Sequence, residues 1–279
     1  MPELPEVETL RRDLDREVVG KRVKLVEVSG MRSIRRHPNK KHFSGKLEGN
    51  KITGIDRRGK YLLLRLDGGD ILVVHLGMSG QLLRAKGARD KPGKHTHVVI
   101  TFTQGGQLRF VDPRTFGELF LTTPEELEDQ VPELAHLGFD PVDDMMSWTR
   151  FGDLLVSKKT KLKSLLMDQK FVAGIGNIYS DEILFSAGLR YDRNSDSLSS
   201  QEVRRLYRAM VETLQDAIKH RGSSLADEQY RDLFGELGDF QSQHKVYDRE
   251  GLACRRCRSV IVRIKVNGRS SFLCEQCQV

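Results

Sequence analysis

The 279-residue chain has no apolar run long enough to span a bilayer, which excludes a membrane-spanning helix. It has no basic-then-apolar leader either; the start is acidic, Met1-Pro2-Glu3-Leu4-Pro5-Glu6, so no signal peptide is expected and a reducing cytoplasm is the default compartment. It has no evident internal repeat or low-complexity tract, and it has only four cysteines. In a reducing compartment those four need an explanation other than disulfides. Positive charge, in contrast, is in excess: the net charge is +7 and the pI near 9.2, a balance that points to a polyanionic partner.

Periodicity divides the chain in two. Val7, Leu10, Leu14 and Val18 recur at helical spacing before Gly20, predicting one amphipathic N-terminal helix. Seven β-rich runs follow, Val23-Leu25, Ile52-Ile55, Tyr61-Leu66, Ile71-Leu76, Val98-Phe102, Leu108-Val111 and Leu119-Leu121, with no helices expected between them. Short strands separated by turns predict an antiparallel sandwich or barrel. Thr123-Pro124-Glu125-Glu126 is a capping box that predicts a short helix, and the Pro- and acid-rich stretch Pro132 to Asp144 reads as an interdomain connection. Helices are expected over Trp148–Val156, Lys163–Gln169, from Asn177, and from Ser199 to His220, where Glu202 completes a second capping box. Residues 223–245 read as a long polar loop.

Cys254-Arg255-Arg256-Cys257 and Cys274-Glu275-Gln276-Cys277 have the two-knuckle spacing of a structural zinc site, with strands Val260–Val266 and Ser270–Leu273 around the turn Asn267-Gly268. A redox dithiol pair is the alternative. The finger concentrates Arg255, Arg256, Arg258, Arg263, Lys265 and Arg269, a charge density suited to phosphates. Gly174-Ile175-Gly176-Asn177, opening a helix, offers backbone N–H groups to an anion, with Lys158, Lys159, Lys161 and Lys163 upstream. Arg57-Arg58-Gly59-Lys60-Tyr61, His75 and Lys94-His95-Thr96-His97, each taken singly, read as an exposed polar rim. Met78 and Phe116 are apolar residues in turns; beside Arg114 they could wedge into a base stack, or they could tuck into the core.

The first residues carry a chemical option. Removal of Met1 before the small Pro2 would leave a secondary amine, and an α-amino group titrates roughly two to three units below a lysine side chain. Such an amine can attack a sugar carbon and form a Schiff base, with Glu3 and Glu6 beside it for proton transfer. The plainer reading is a helix start with proline and acids in the first turn.

In order along the chain, Pro2-Glu3-Leu4-Pro5-Glu6-Val7-Glu8-Thr9, Arg58-Gly59-Lys60-Tyr61-Leu62, His75-Leu76-Gly77-Met78-Ser79-Gly80, Asp112-Pro113-Arg114-Thr115-Phe116-Gly117, Gly174-Ile175-Gly176-Asn177-Ile178-Tyr179 and the C-terminal finger resemble bacterial formamidopyrimidine-DNA glycosylase over essentially the whole length. The resemblance implies an α+β fold: an N-terminal antiparallel β-sandwich with an N-terminal helix, then a helical helix–two-turn–helix domain and a zinc β-hairpin finger. The boundaries expected are a catalytic domain over 1–134, a linker over 135–149, a DNA-binding domain over 150–222, a lesion-recognition loop over 223–245 and the finger over 246–279.

It further implies a bifunctional DNA glycosylase and AP lyase of base excision repair, acting on 8-oxoguanine opposite cytosine and on formamidopyrimidines. Pro2 falls on the nucleophile, Glu3 on the proton donor and acceptor, Lys60 on the proton donor of β-elimination, and Arg269 on the residue of δ-elimination and phosphate binding. Met78, Arg114 and Phe116 match the intercalating triad that reads the orphaned cytosine, and His75, His95, Lys158, Asn177 and Tyr247 match DNA contacts. Cys254, Cys257, Cys274 and Cys277 match the ligands of one structural zinc. The partner implied is damaged double-stranded DNA, handled by a cytoplasmic, nucleoid-associated bacterial monomer without a membrane partner. The chain departs from the family pattern at Cys257-Arg258-Ser259-Val260, at Asp248, and at Leu237 in the lid over the everted base. An endonuclease VIII-like enzyme for oxidised pyrimidines, and a non-catalytic zinc-finger DNA-binding module, are the alternatives. Leu4 and the Met78, Arg114, Phe116 set favour the purine branch over the first.

Overall fold

The structure is a computed structural model that describes residues 1–87 and 90–279. Its contacts separate the chain into two compact units, Met1–Ala135 with His220–Asp239, and His136–Lys219 with Phe240–Val279.

The first unit opens with α1 (Leu4–Val18), whose apolar stripe Val7, Leu10, Leu14 and Val18 is buried as its spacing predicts. Eight strands follow: β1 (Val23–Val28), β2 (Ile52–Arg58), β3 (Tyr61–Leu66), β4 (Ile71–His75), β5 (Gln81–Ala85), β6 (Thr96–Phe102), β7 (Gln107–Val111) and β8 (Glu118–Thr122). They form two antiparallel sheets of four, in the orders β1-β6-β7-β5 and β2-β3-β4-β8. Side chains from both sheets and α1 share one core, which includes Leu14, Val26, Leu64, Val74, Ile100, Phe110 and Leu121. This is the expected sandwich.

Two elements depart from the sequence expectation. β5 was not among the seven strands, and α2 (Lys40–Leu47) lies between β1 and β2 where no helix was expected. α2 carries only two buried anchors, Phe43 and Leu47, so no apolar stripe announces it. Half of the Thr123 capping box forms, Glu126 N–H donating to Thr123 Oγ1 at 3.3 Å, and the regular helix α3 starts later and spans only Leu127–Gln130, with Glu126 as its N-cap. A further helical turn, α4 (Pro132–Ala135), occupies the start of the stretch read as a linker.

In the second unit come α5 (Trp148–Ser157), α6 (Leu162–Met167), α7 (Asn177–Ala187) and α8 (Ser200–Lys219), then β9 (Val262–Val266) and β10 (Arg269–Leu273). The hairpin turn Asn267-Gly268 has both φ angles positive, at 49° and 77°, the conformation that an Asn-Gly pair favours. α7 ends on Gly188 in the left-handed region, whose N–H bonds Phe185 O at 3.0 Å.

Candidate catalytic and DNA-binding site

Pro2 and Glu3 are both buried, Glu3 as the N-cap of α1. Both carboxylates expected to serve chemistry here also cap the helix: the Glu3 side chain accepts the Glu6 N–H, and Glu6 makes two such bonds of its own. Its Oε2 accepts the Glu3 N–H at 2.8 Å and its Oε1 accepts the Ser223 N–H at 2.7 Å. A side chain at Gly222 would place its Cβ 2.7 Å from Glu6 Oε1. Glycine, here at φ 79°, is therefore required where the chain after α8 passes Glu6.

Two residues further along α1, Glu8 is nearly inaccessible and faces three arginines, Arg11 at 2.9 Å, Arg12 at 2.7 Å and Arg57 at 3.0 Å. Burial works against its ionisation, but the hydrogen bonds from the three guanidinium groups prevail and bring its pKa down to about 2. The Arg57 guanidinium also donates to Gly59 O at 3.2 Å. Arg57 therefore ties the helix that presents Glu3 to the turn that presents Lys60. It lies inside the molecule, contrary to its reading as exposed rim: only 6% of Arg57 is accessible.

His75 ends β4 opposite Tyr61 in the register, the two rings 4.6 Å apart. Burial lowers the His75 pKa and raises that of Tyr61 to about 12. Both rings are thus held in their neutral forms near neutrality. His95 is exposed in a left-handed conformation, φ 69°. Met78 and Phe116 are 40% and 45% accessible, which rejects the alternative that they fill the core. The exposed Arg114 guanidinium lies 5.0 Å from the Phe116 ring centroid.

The segment 220–239 is built onto the sandwich of this unit. Arg221 bridges Asp13 and Asp232, Tyr230 and Leu233 enter the core, and Arg84 N–H donates to Leu233 O at 2.7 Å. Asp232 Oδ1 accepts the N–H groups of Phe234 and Glu236, at 2.9 and 3.0 Å. This leaves Phe234 and Leu237 exposed at the loop tip.

In the second unit, Gln169 braces the glycine loop before α7, its Oε1 accepting from Gly174 N–H at 2.9 Å and its Nε2 donating to Ile175 O at 2.8 Å. Asn177 opens α7, and its Nδ2 donates to Ser270 O at 2.8 Å, next to Arg269. Lys163, expected on a phosphate path, is instead buried, its Nζ 2.6 Å from Asp181. Asp181 also accepts Ser271 Oγ–H at 2.6 Å and Phe272 N–H at 2.9 Å, fixing the hairpin on α7. Glu182 accepts the N–H groups of Lys245, Val246 and Tyr247, the closest contacts to each being 2.8, 2.9 and 2.8 Å. Tyr247 packs on Phe272, ring centroids 5.0 Å apart. Lys158 and Arg269 are exposed, and Lys163, Ser164, Asn267 and Arg269 line a shared cleft.

The four cysteine sulfurs lie within 4.8 Å of one another, with Cys254 to Cys277 at 3.9 Å and Cys257 to Cys274 at 3.4 Å. A zinc ion with Zn–S bonds of about 2.3 Å sets tetrahedral sulfurs about 3.8 Å apart, so the donor set fits. Zinc bound there brings coordination bonds that hold the finger and leaves no position for a substrate.

Family models match along the chain in the same order: the formamidopyrimidine-DNA glycosylase N-terminal domain over residues 1–119, the H2TH domain of the same enzyme over 137–229, and the zinc finger found in Fpg and IleRS over 251–279. The chain belongs to the formamidopyrimidine-DNA glycosylase family. As a member it is a DNA glycosylase of base excision repair for oxidised purines, with the accompanying AP lyase activity. It is 44% identical to the formamidopyrimidine-DNA glycosylase of Heliobacterium modesticaldum over 280 residues, and 40% identical to that of Desulfitobacterium hafniense over 279, each covering 100% of both chains. Among solved structures it is similar to MutM (Fpg) of Thermus thermophilus, with TM-score 0.87 and 40% identity over 99% of this chain and 98% of that one. It is similar also to the Lactococcus lactis Fpg solved with abasic-site DNA, with TM-score 0.89 and 33% identity over 99% of each. Among the described residues no helix is long and apolar enough to cross a membrane.

Proposed function

We propose that the chain, freed of Met1, excises 8-oxoguanine opposite cytosine and formamidopyrimidines through the Pro2 nitrogen, working in the bacterial cytoplasm on nucleoid DNA. Pro2 attacks C1′ as the bond to the damaged base breaks, and ring opening leaves a Schiff base between protein and sugar. Glu3 moves the protons of base loss and ring opening. Lys60 supplies the proton of β-elimination, and Arg269 holds phosphate and serves δ-elimination. The product is a one-nucleotide gap flanked by phosphates. Met78 and Phe116 fill the vacated stack, Arg114 reads the orphaned cytosine with its rigid fork of donors, and His75, His95, Lys158, Asn177 and Tyr247 contact the DNA. Residues 223–240 cover the everted base.

The observation that supports this reading best is the start of α1, where Glu3 and Glu6 accept each other's backbone N–H groups in a capping box that holds the Glu3 carboxylate buried beside Pro2.

Borohydride trapping of the Met1-processed protein tests the assignment, on duplexes with 8-oxoguanine opposite cytosine, with 5-hydroxyuracil, and undamaged. A covalent adduct favouring the 8-oxoguanine duplex, absent when the N-terminus is blocked, is expected. An adduct favouring 5-hydroxyuracil would move the chain's preference to oxidised pyrimidines, and DNA binding with no adduct on any duplex would remove Pro2 from the chemistry.

A further inference from the structure

The turns that carry His95, Met78, and Arg114 with Phe116 converge on one buried residue. Asp112, just past β7, has no accessible surface. Its Oδ1 accepts Ser79 Oγ–H at 2.6 Å and Arg114 N–H at 3.2 Å, and its Oδ2 accepts Gly117 N–H at 2.8 Å. Its N–H donates to His95 O at 3.0 Å, and its carbonyl accepts from Thr115 N–H at 3.3 Å. All these donors are neutral. A carboxylate withdrawn from water among neutral donors is costly unless its oxygens stay bonded, so displacement of either turn is penalised.

The two turns also touch backbone to backbone. A Cβ on Gly77, at φ 61°, would meet Gly117 N at 2.6 Å, and one on Gly117 would meet His75 O at 2.9 Å. From the other side, Arg32 donates to Thr115 O at 3.1 Å and Arg35 to Gly117 O at 3.0 Å. The carbonyls of the Arg114–Gly117 turn are therefore held while Asp112 holds its N–H groups.

We infer that Asp112 is a positioning residue that locks the Met78 turn and the Arg114–Phe116 turn into one rigid wedge, and that selectivity for the base opposite the lesion depends on it. The inference rests on the reading of Met78, Arg114 and Phe116 as the wedge. Reading a base edge with a guanidinium requires donors aimed along narrow directions, because hydrogen bonds weaken steeply with misalignment. A wedge free to tilt still fills the stack but no longer distinguishes cytosine from adenine.

The test is the ratio of single-turnover excision rates for 8-oxoguanine opposite cytosine and opposite adenine, a quantity independent of the fraction of active protein. Asp112→Asn keeps the shape, but its one oxygen cannot serve all three donors; it should lower the ratio about tenfold, within the range that one bidentate base contact discriminates. Ser79→Ala, which leaves the carboxylate in place, should lower it about threefold by the same reasoning. Arg114→Ala is run beside them. A ratio lowered by Arg114→Ala but unchanged in Asp112→Asn and Ser79→Ala overturns the positioning role and leaves the wedge standing. A ratio unchanged in Arg114→Ala overturns the wedge and this inference together. Should Asp112→Asn fail to fold, Ser79→Ala decides: a lowered ratio supports the inference and an unchanged one defeats it.

Discussion

Glu8 in the first unit and Glu182 in the second are both buried glutamates that brace a functional turn, and their surroundings drive them in opposite directions. Glu8 meets three guanidinium groups, which overcome the burial that opposes ionisation and bring its pKa down to about 2. Glu182 meets mainly backbone: complete burial pushes its pKa up, and the N–H groups of Tyr247, Val246 and Lys245 only partly offset this. Cationic partners make a carboxylate a source of stability near neutral pH, whereas backbone donors make it an organiser of the chain whose charge remains costly. Near the N-terminus a third arrangement occurs, where Glu3 and Glu6 cap the helix reciprocally and Glu6 also takes the Ser223 N–H.

If carboxylate chemistry belongs to the first unit alone, Glu3→Gln should slow base excision by about 10²- to 10⁴-fold with DNA affinity nearly intact. Glu182→Gln should leave single-turnover excision on saturating DNA within a small factor. Equal losses of affinity and activity in Glu3→Gln, or a comparable catalytic loss in Glu182→Gln, would erase the distinction.

Next in size is the bracing itself. Glu182→Ala orphans three N–H groups, that of Val246 buried and those of Lys245 and Tyr247 partly so, and should cost about 3 kcal/mol of local stability, seen as faster hydrogen exchange at residues 245–247 and faster zinc loss to a chelator. Removal of zinc from the intact protein should likewise weaken DNA binding, because the cysteine set holds the hairpin that carries Arg269. Undiminished affinity of the metal-free protein in a binding titration would contradict it.

The pH dependence sharpens the contrast. Glu8 has a folded pKa below its unfolded value, so its stabilisation is complete above about pH 4.5 and fades as pH falls toward 2. Its size is on the order of 3 kcal/mol, and the gap in stability between wild type and Glu8→Gln should close across that window. Glu182 has a raised folded pKa, so its contribution declines as pH rises above the unfolded value, and Glu182→Gln should flatten that slope. Hydrogen exchange read in β2 below about pH 4.5 and in α7 above it should show slopes of opposite sign. Slopes of the same sign would mean that one of the two surroundings has been misassigned. The smallest effect expected is Lys158→Ala, at an exposed lysine proposed to contact phosphate: a uniform weakening across sequences and a salt slope reduced by about 1.

Features that repeat at short range were legible in the sequence. The stripe of α1, the stripe of α8 from Val203 through Leu206, Met210 and Leu214, the Asn267-Gly268 turn and the cysteine knuckles all lie within one element or one hairpin. α2 and β5 escaped because each buries few residues: Phe43 and Leu47 in the helix, Leu82 and Ala85 in the strand. The clamps escaped for a different reason. Asp112 stands inside a motif plain in the sequence, and Arg57 stands beside Lys60, yet nothing in composition shows that Ser79 or Glu8 would meet them. Glu182 accepts from amides 63 to 65 residues away, a distance over which periodicity carries no information. The cations expected at a polar rim, on a phosphate path or in a DNA-facing turn therefore divided, Arg57 and Lys163 turning inward and Arg114, Lys158 and Arg269 outward.

The bond from Ser223 to Glu6 spans 217 residues of chain, which bears on how the protein emerges from the ribosome. The sandwich strands are complete once Thr122 has been made, but Tyr230 and Leu233, which belong to the same core, come only after α5 to α8. Long-range closures of this kind are slow, and surface left open in the interval invites aggregation. A nascent chain halted before residue 220 would hold folded strands around an unfilled core, with Glu6 lacking its Ser223 partner, so the first unit is completed only after most of the second has been synthesised.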